Sequence, residues 1–424
     1  MTRQSVEREE RGTRAAGRLW IFNHYATPPD RAGGTRHYDL GAELAASGWD
    51  VTIFAAGFSH VSGREERLRP HQLYAIQQHG PVRFVWLRTP SYQGNGWRRA
   101  LNMVAYAIVA IVVQVRLDRP TVVIGSSVHL LAALAGHAVA RVRGARFVLE
   151  VRDVWPQALV DAGALRADGA AAGAMHRLAD YLYRRAARIV VVVQAAADLI
   201  TARGISPDRI VVIPHAVRWP DLDASASDHA SREWHRRLTQ VRARAGTVIM
   251  YVGALGTANA LRHVVSAARG LHAAGRDDIH LVFIGEGPER SDLEHASEGI
   301  PNVHFLGPVN KSEVASALSF ADAGLATMIR GPWDSGVSMN KIADYFGAAI
   351  PVIMMGSPRN NPVLEARAGW AVDYEDVNGL RDAVIAMADL GVEGREELGR
   401  NGRRYAGEYL DLERLTRRLA RVIS

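Results

Sequence analysis

Cysteine is absent from this chain. Without it no disulfide framework, thiol nucleophile or cysteine-ligated metal can be built, and a reducing cytoplasm is the compartment that fits. Lysine is nearly absent too: Lys311 and Lys341 are the two lysines among 51 Lys and Arg residues. Where Arg is the default basic residue, a retained Lys marks a position that wants a compact ammonium rather than a planar fork. No nucleic-acid motif and no interleaving of basic with aromatic residues occurs, which argues against a nucleic-acid partner. Residues 1–17 lack the apolar core of a signal peptide and read as a polar, disordered leader that exports nothing. The apolar run 100–115, framed by Trp97-Arg98-Arg99 and by Arg116, Asp118, Arg119 and Pro120, is short for a membrane span. It reads first as a core helix and second as a peripheral contact of residues 97–116 with the inner face of the cell membrane.

What is present is a long, mixed chain. At 424 residues it exceeds what one core usually serves, so two domains of roughly 200 residues are expected. A hydrophobic share of 48%, a charged share of 22% and a net charge of +7 describe a globular protein suited to acidic partners such as phosphorylated small molecules or anionic lipid headgroups. Strand and helix signals alternate from residue 18 to 213 and restart at 247, which predicts an α/β protein with two parallel sheets, each covered by helices. Ligands of such sheets lie beyond the carboxyl ends of the strands. The expected organisation is a leader over 1–17, a first domain over 18–217, a polar linker over 218–246, a second domain over 247–404, and a C-terminal helix over 405–424 that packs back on the first. Residues 59–78 are expected to form a long basic loop with some helix. Asp221-Leu222-Asp223 has the form of a metal-binding Asp-X-Asp but stands alone in the linker, where chance explains it.

The chemistry is expected around 335–352. Ser335-Gly336-Val337-Ser338 leads into a helix over 339–346, with Ser338 as its N-cap, then a tight exit and a buried strand. A helix N-terminus with unpaired N–H groups suits a phosphate, Lys341 adds a point charge, and Asp344 one turn deeper could take the two hydroxyls of a ribose. The competing reading is a solvated ion pair between Lys341 and Asp344 on a surface helix. In the first half, the strand over 18–23 runs through Pro28-Pro29 to Gly33-Gly34 and a helix, and Arg152-Asp153 follows a strand end, where a ligand contact and a loop-locking ion pair are both open.

Taken together, Pro28-Pro29 with Gly33-Gly34, Ile213-Pro214-His215, Tyr251-Val252-Gly253, Ile284-Gly285-Glu286-Gly287-Pro288-Glu289-Arg290, Val303-His304-Phe305-Leu306-Gly307 and Asn340-Lys341-Ile342-Ala343-Asp344-Tyr345 resemble the retaining family 4 glycosyltransferases. Their branch that transfers N-acetylated amino sugars in polysaccharide and secondary-metabolite assembly is the most similar. The resemblance implies a GT-B fold of two facing Rossmann-like domains with a cleft between them. It implies a nucleotide-sugar donor, by preference UDP-linked, no cofactor and no metal, and an acceptor that is a sugar, a lipid-linked molecule or a natural product. Donor contacts would come from Gly253, Asn259, Phe305, Gly307, Ser338, Asn340, Lys341 and Asp344, with the base near 305–307. Gly33, Gly34 and Arg36 would serve donor phosphate or acceptor, and Lys341, Arg152 and Asp153 would be catalytic. The family's paired glutamates would fall at Gly336 and Asp344, so the first is missing and the second shortened. Its basic pair after the second domain's first strand is replaced by Ala254 and Asn259, which leaves Lys341, helix dipoles or Arg36 to neutralise phosphate. A sugar-nucleotide 2-epimerase of the same fold and an inactive membrane-docked scaffold are the alternatives.

Overall fold

A computed structural model describes residues 16–31, 33–59, 62–94, 96–161, 165–219, 232–331 and 337–424. The first fifteen residues of the expected leader, the Asp221-Leu222-Asp223 triplet with most of the early linker, and Ser335-Gly336 lie outside them. The chain divides into two compact units, one of residues 1–28, 35–213 and 413–424, the other of 29–34 and 214–412.

The first unit is built on β1 (Gly17–Phe22), β2 (Trp49–Ala56), a two-residue pair β3 (Phe58–Ser59) and β4 (Arg64–Glu65), β5 (Tyr74–His79), β6 (Val82–Leu87), β7 (Val122–Ser126), β8 (Arg146–Val151), β9 (Arg188–Val191) and β10 (Ile210–Val212). Eight of these make one sheet in the order β10-β9-β8-β7-β1-β2-β6-β5, parallel except for the edge strand β5. The strand order reverses between β1 and β7, so the crevice beyond their carboxyl ends is the place for a ligand. Apolar runs such as Leu19 to Phe22 and Ile53 to Ala55 are buried on both faces, as a helix-covered parallel sheet requires. The covering helices include α1 (Arg36–Ala46), α2 (Trp97–Val113), α3 (Leu130–Arg143), α4 (Ala170–Arg185) and α5 (Gln194–Thr201).

The second unit contains α6 (Glu233–Arg242), β11 (Thr247–Val252), α7 (Leu261–Ala273), β12 (Ile279–Ile284), α8 (Arg290–Ala296), β13 (Val303–Leu306), β14 (Ala323–Thr327), α9 (Asn340–Gly347), β15 (Val352–Met355), β16 (Gly369–Val372), α10 (Val377–Asp389) and α11 (Gly391–Tyr405). Its six strands are all parallel, in the order β13-β12-β11-β14-β15-β16, with the reversal between β11 and β14. The last helix, α12 (Leu412–Ile423), groups with the first unit from residue 413 on.

Two expectations are corrected. The described residues of the stretch 59–78 carry no helix: they include the β3–β4 pair and the antiparallel edge strand β5. Tyr74 packs on the core and Gln77 accepts a hydrogen bond from Trp86 Nε1 at 2.9 Å, so alternation of the two faces outweighs the polar composition. The polar linker contains α6, because Leu238 and Val241 on one helical face supply enough apolar surface to bury among many arginines. The apolar run is helix α2 followed by a 3-10 turn, Gln114–Arg116, and by length and composition the stretch Trp97–Arg116 is the one candidate span among the described residues. Only its Asn102, Tyr106, Ala110 and Val113 face is buried.

Candidate functional site

The second unit gathers its site where the strand order reverses. Beyond β11 the backbone turns at Gly253, whose φ of +150° suits glycine. A β-carbon there would stand 3.3 Å from Lys341 Cε and Nζ, so the missing side chain makes room for the lysine head. Gly285 and Gly287 let the next turn close in, since β-carbons would lie 1.9 Å from Gly253 O and 2.2 Å from Leu255 O. Lys341 is the second residue of α9, which follows β14 across the reversal. Its Nζ donates to Asn259 Oδ1 at 3.2 Å and lies 3.9 Å from the centroid of the Tyr251 ring. Asn259 is itself steered by Nδ2 donating to Ala254 O at 3.0 Å, and Tyr251 by its hydroxyl donating to the same oxygen at 2.7 Å.

Loss of water around the ammonium, with no carboxylate of the described residues beside it to offset the cost, lowers the Lys341 pKa to about 7. The side chain is half-buried, and an anion brought to it would favour the protonated form. The surface ion pair with Asp344 does not form. Asp344 is instead held by the other lysine, with Lys311 Nζ 2.5 and 2.6 Å from its two carboxylate oxygens. Both lysines of the chain therefore belong to this one site, although their scarcity drew attention only to Lys341. Tyr251 was missed as well, because an aromatic residue inside a buried strand carries no sequence mark that distinguishes it from core.

Other expected donor residues divide. Asn340 opens α9, and its Nδ2 would be 3.1 Å from a β-carbon on Gly34. Gly33 and Gly34 group with this second unit, where Lys311 N also donates to Arg31 O at 3.2 Å. Gly33 has a φ of +135°, which suits glycine. Ser338 is not the N-cap of α9, a position held by Met339; its hydroxyl accepts from His215 N at 2.9 Å, linking the Ile-Pro-His segment to the helix entry. Phe305 turns its ring into the core, stacked on Phe283 at 4.8 Å, and its carbonyl accepts from Arg237 at 2.8 Å. A base near 305–307 would thus meet backbone, beside the open space at Gly307, and not the Phe305 ring.

At the reversal point of the first unit the charges are already matched. Glu150, at the end of β8, takes Arg36 Nε at 2.9 Å on one oxygen and His37 Nε2 at 2.5 Å on the other, and Arg36 also donates to Ile213 O at 2.8 Å. His37 and the Arg36 guanidinium, both bonded to it, hold the Glu150 carboxyl well below the usual carboxylate range despite burial. Burial lowers His37, so the ring is neutral, donating Nε2–H to Glu150 and accepting at Nδ1 from Asn23 Nδ2 at 3.0 Å. Arg36 is committed here, which corrects its assignment to donor phosphate: a guanidinium tied at both ends inside the core cannot turn to a ligand without leaving Glu150 unpaired. His129 caps α3 by accepting from Ala132 N at 3.1 Å, and its other nitrogen donates to His24 Nδ1 at 2.8 Å. Burial, helped by Arg99, pushes His129 down to about 3, so its ring is neutral too. Arg152 and Asp153 follow β8, half-buried, and desolvation raises the Asp153 carboxyl while Arg152 opposes the rise. Among the described residues no three His, Asp or Glu side chains converge to hold a metal ion.

Comparison with known proteins agrees with this architecture. Residues 32–216 match the family described as "Glycosyl transferase 4-like domain", and residues 246–389 match "Glycosyl transferases group 1"; together they take in well over half of the chain. A protein of Pseudomonas aeruginosa described as "Probable glycosyltransferase WbjE" is 24% identical over 287 residues, 64% of this chain and 67% of that one. Sucrose-phosphate synthase from Thermosynechococcus elongatus shares the fold with a TM-score of 0.70 at 16% identity, covering 96% of this chain and 98% of that one. The E. coli protein titled "Trehalose-6-phosphate from E. coli bound with UDP-2-fluoro glucose" does so with 0.67 at 13% identity, covering 96% and 98%.

Proposed function

Since the chain belongs to the group 1 glycosyltransferases of GT-B architecture, with a glycosyl transferase 4-like first half, we propose that it moves an N-acetylhexosamine-type sugar from a UDP-sugar to an acceptor hydroxyl with retention of configuration. The observation that carries the donor part is the Lys341 ammonium: a desolvated cation at the strand-order reversal of the second unit, facing an amide and a ring instead of a carboxylate. The donor diphosphate supplies the missing negative charge, against Lys341 and the first N–H groups of α9. As the bond from the anomeric carbon to the β-phosphate oxygen breaks, charge grows on that phosphate, and an ammonium already in place stabilises it without reorganisation. The acceptor hydroxyl attacks from the same face, forming the new glycosidic bond, and its proton passes to the departing phosphate.

Lys341 thereby does what the family's basic pair would do from the positions of Ala254 and Asn259. Asn259 holds the lysine head rather than a phosphate, and Gly253 clears the space for it. Asp344, kept in place by Lys311, takes ribose hydroxyls with the oxygen lone pairs the lysine leaves available. Arg152 and Asp153 orient the acceptor. The direct test is incubation with a panel of nucleotide sugars and measurement of nucleoside diphosphate release. Transfer or slow hydrolysis sustains the reading, epimerisation of the donor would replace it by the 2-epimerase, and no turnover with any sugar by the scaffold. UDP at a hundred times its Kd should also raise stability by about 2.7 kcal/mol in a thermal shift.

A further inference from the structure

Helix α2 presents two faces of opposite character. Its inner face is pinned to the first unit by polar bonds that a bilayer interior could not replace. Asn102 Nδ2 donates to Thr89 Oγ1 at 2.9 Å and to Pro90 O at 2.6 Å, and the buried Tyr106 hydroxyl donates to Phe54 O at 2.7 Å. The outer face exposes Trp97 (71%), Leu101, Ile108 (57%), Val112 (53%) and, in the turn that follows, Val115 (64%). These recur at helical spacing as one apolar stripe about as long as the helix itself, ~25 Å for 17 residues. Exposed Ile76 lies two residues along β5 from Tyr74, on the strand face whose Tyr74 packs against the core that α2 also covers.

Arginines frame this stripe at both ends and no acid lies within it. Arg98 and Arg99 occupy the first turn of α2, Arg116 and Arg119 follow its end with Asp118 between them already in an ion pair with Arg18 at 3.7 Å, and residues 97–113 contain no Asp or Glu. Two copies of such a face brought together would oppose arginines to arginines in either direction with nothing acidic on the helix to pair them, whereas an apolar layer topped by anionic headgroups matches it throughout.

We propose that the first unit docks by the outer face of α2, lying flat, on an anionic lipid bilayer. The pinned inner face keeps the helix from crossing, so the contact is confined to one leaflet. Trp97 and its neighbours enter the headgroup boundary and the flanking arginines meet phosphates. Arg99, in the first turn, also lies 5.9 Å from the Tyr25 ring on the loop after β1, which ties the docked helix to the loop that leaves the reversal point of the first unit. This places a lipid-anchored acceptor within the chemistry that the unit meets, and it stands whether or not the donor assignment above holds, because lipid binding is read without turnover.

The test is flotation of the full chain with vesicles of phosphatidylcholine alone or with about a third of phosphatidylglycerol, at low and high salt. The wild type should float with the anionic vesicles. The double variant Ile108→Ser/Val112→Ser, with an unchanged melting temperature, should bind them about tenfold or more weakly. Arg98→Glu/Arg116→Glu should lose binding chiefly at low salt, where the headgroup attraction is least screened. The proposal is overturned if the wild type stays in the soluble fraction with anionic vesicles, or if Ile108→Ser/Val112→Ser floats as well as the wild type. A lipid-free dimer that Ile108→Ser/Val112→Ser dissolves would assign the stripe to a second copy and overturn it too.

Discussion

The two sheets reverse their strand order in the same manner and dress the reversal differently. In the first unit Glu150 sits between Arg36 and His37, and burial keeps the hydrogen-bonded rings of His37 and His129 neutral. In the second, Lys341 faces Asn259 and Tyr251, and the nearby carboxylate of Asp344 is taken by Lys311. Burial of charge is common to both, so burial alone does not mark a ligand site. What separates them is whether the protein has supplied the countercharge. A completed buried cluster costs several kcal/mol to disturb and serves the fold, whereas a cation left for its ligand is destabilising until that ligand arrives.

That contrast can be broken in four places. The largest effect is expected at Glu150→Ala, which strands Arg36 in the core and should remove about 3–5 kcal/mol of stability in urea unfolding, with UDP affinity of the remaining folded protein unchanged. Selective loss of UDP binding with normal stability would transfer ligand duty to the first unit's cluster. Next comes Lys341→Ala, for which kcat/KM should fall about ten- to a thousandfold in a protein at least as stable as the wild type. Unaltered turnover would end the lysine's role. Asp344→Asn should act more mildly, raising donor KM several-fold and leaving kcat nearly intact; a loss confined to kcat would move Asp344 to the reacting centre.

The smallest and most diagnostic effect is in pH. Lys341 titrates near 7 in the folded chain and at 10.5 when unfolded, so between those values the unfolded state holds the extra proton and stability rises with pH. An anionic ligand favours the protonated lysine, so UDP binding at about pH 8 should take up a proton, visible by calorimetry in buffers of different ionisation heat. Lys341→Met should abolish both the slope and the uptake. An uptake that survives the substitution would place the titrating group elsewhere.

Much of the molecule was legible beforehand. The alternation of buried apolar runs with helical periods over 18–213 and again from 247 located both sheets and their covering helices, because a parallel sheet covered on both faces forces its strands to be apolar throughout. The scarcity of lysine pointed at α9, and Gly253 at the turn opposite. Less legible were β5, whose polar residues conceal a strand that needs only one buried face, and α6, whose apolar stripe is two residues wide among arginines.

By itself, then, the sequence determined the two sheets, their helices and the helix that bears Lys341, since these follow from local period and composition. Only the tertiary structure decided which charges are spent. Arg36 and Lys341 both read as phosphate partners along the chain. Packing brings Glu150, 114 residues away, against the first, and among the described residues an amide and a ring against the second. Countercharge across such separations has no local signature, because the strand order that creates the contact is set by the sheet as a whole.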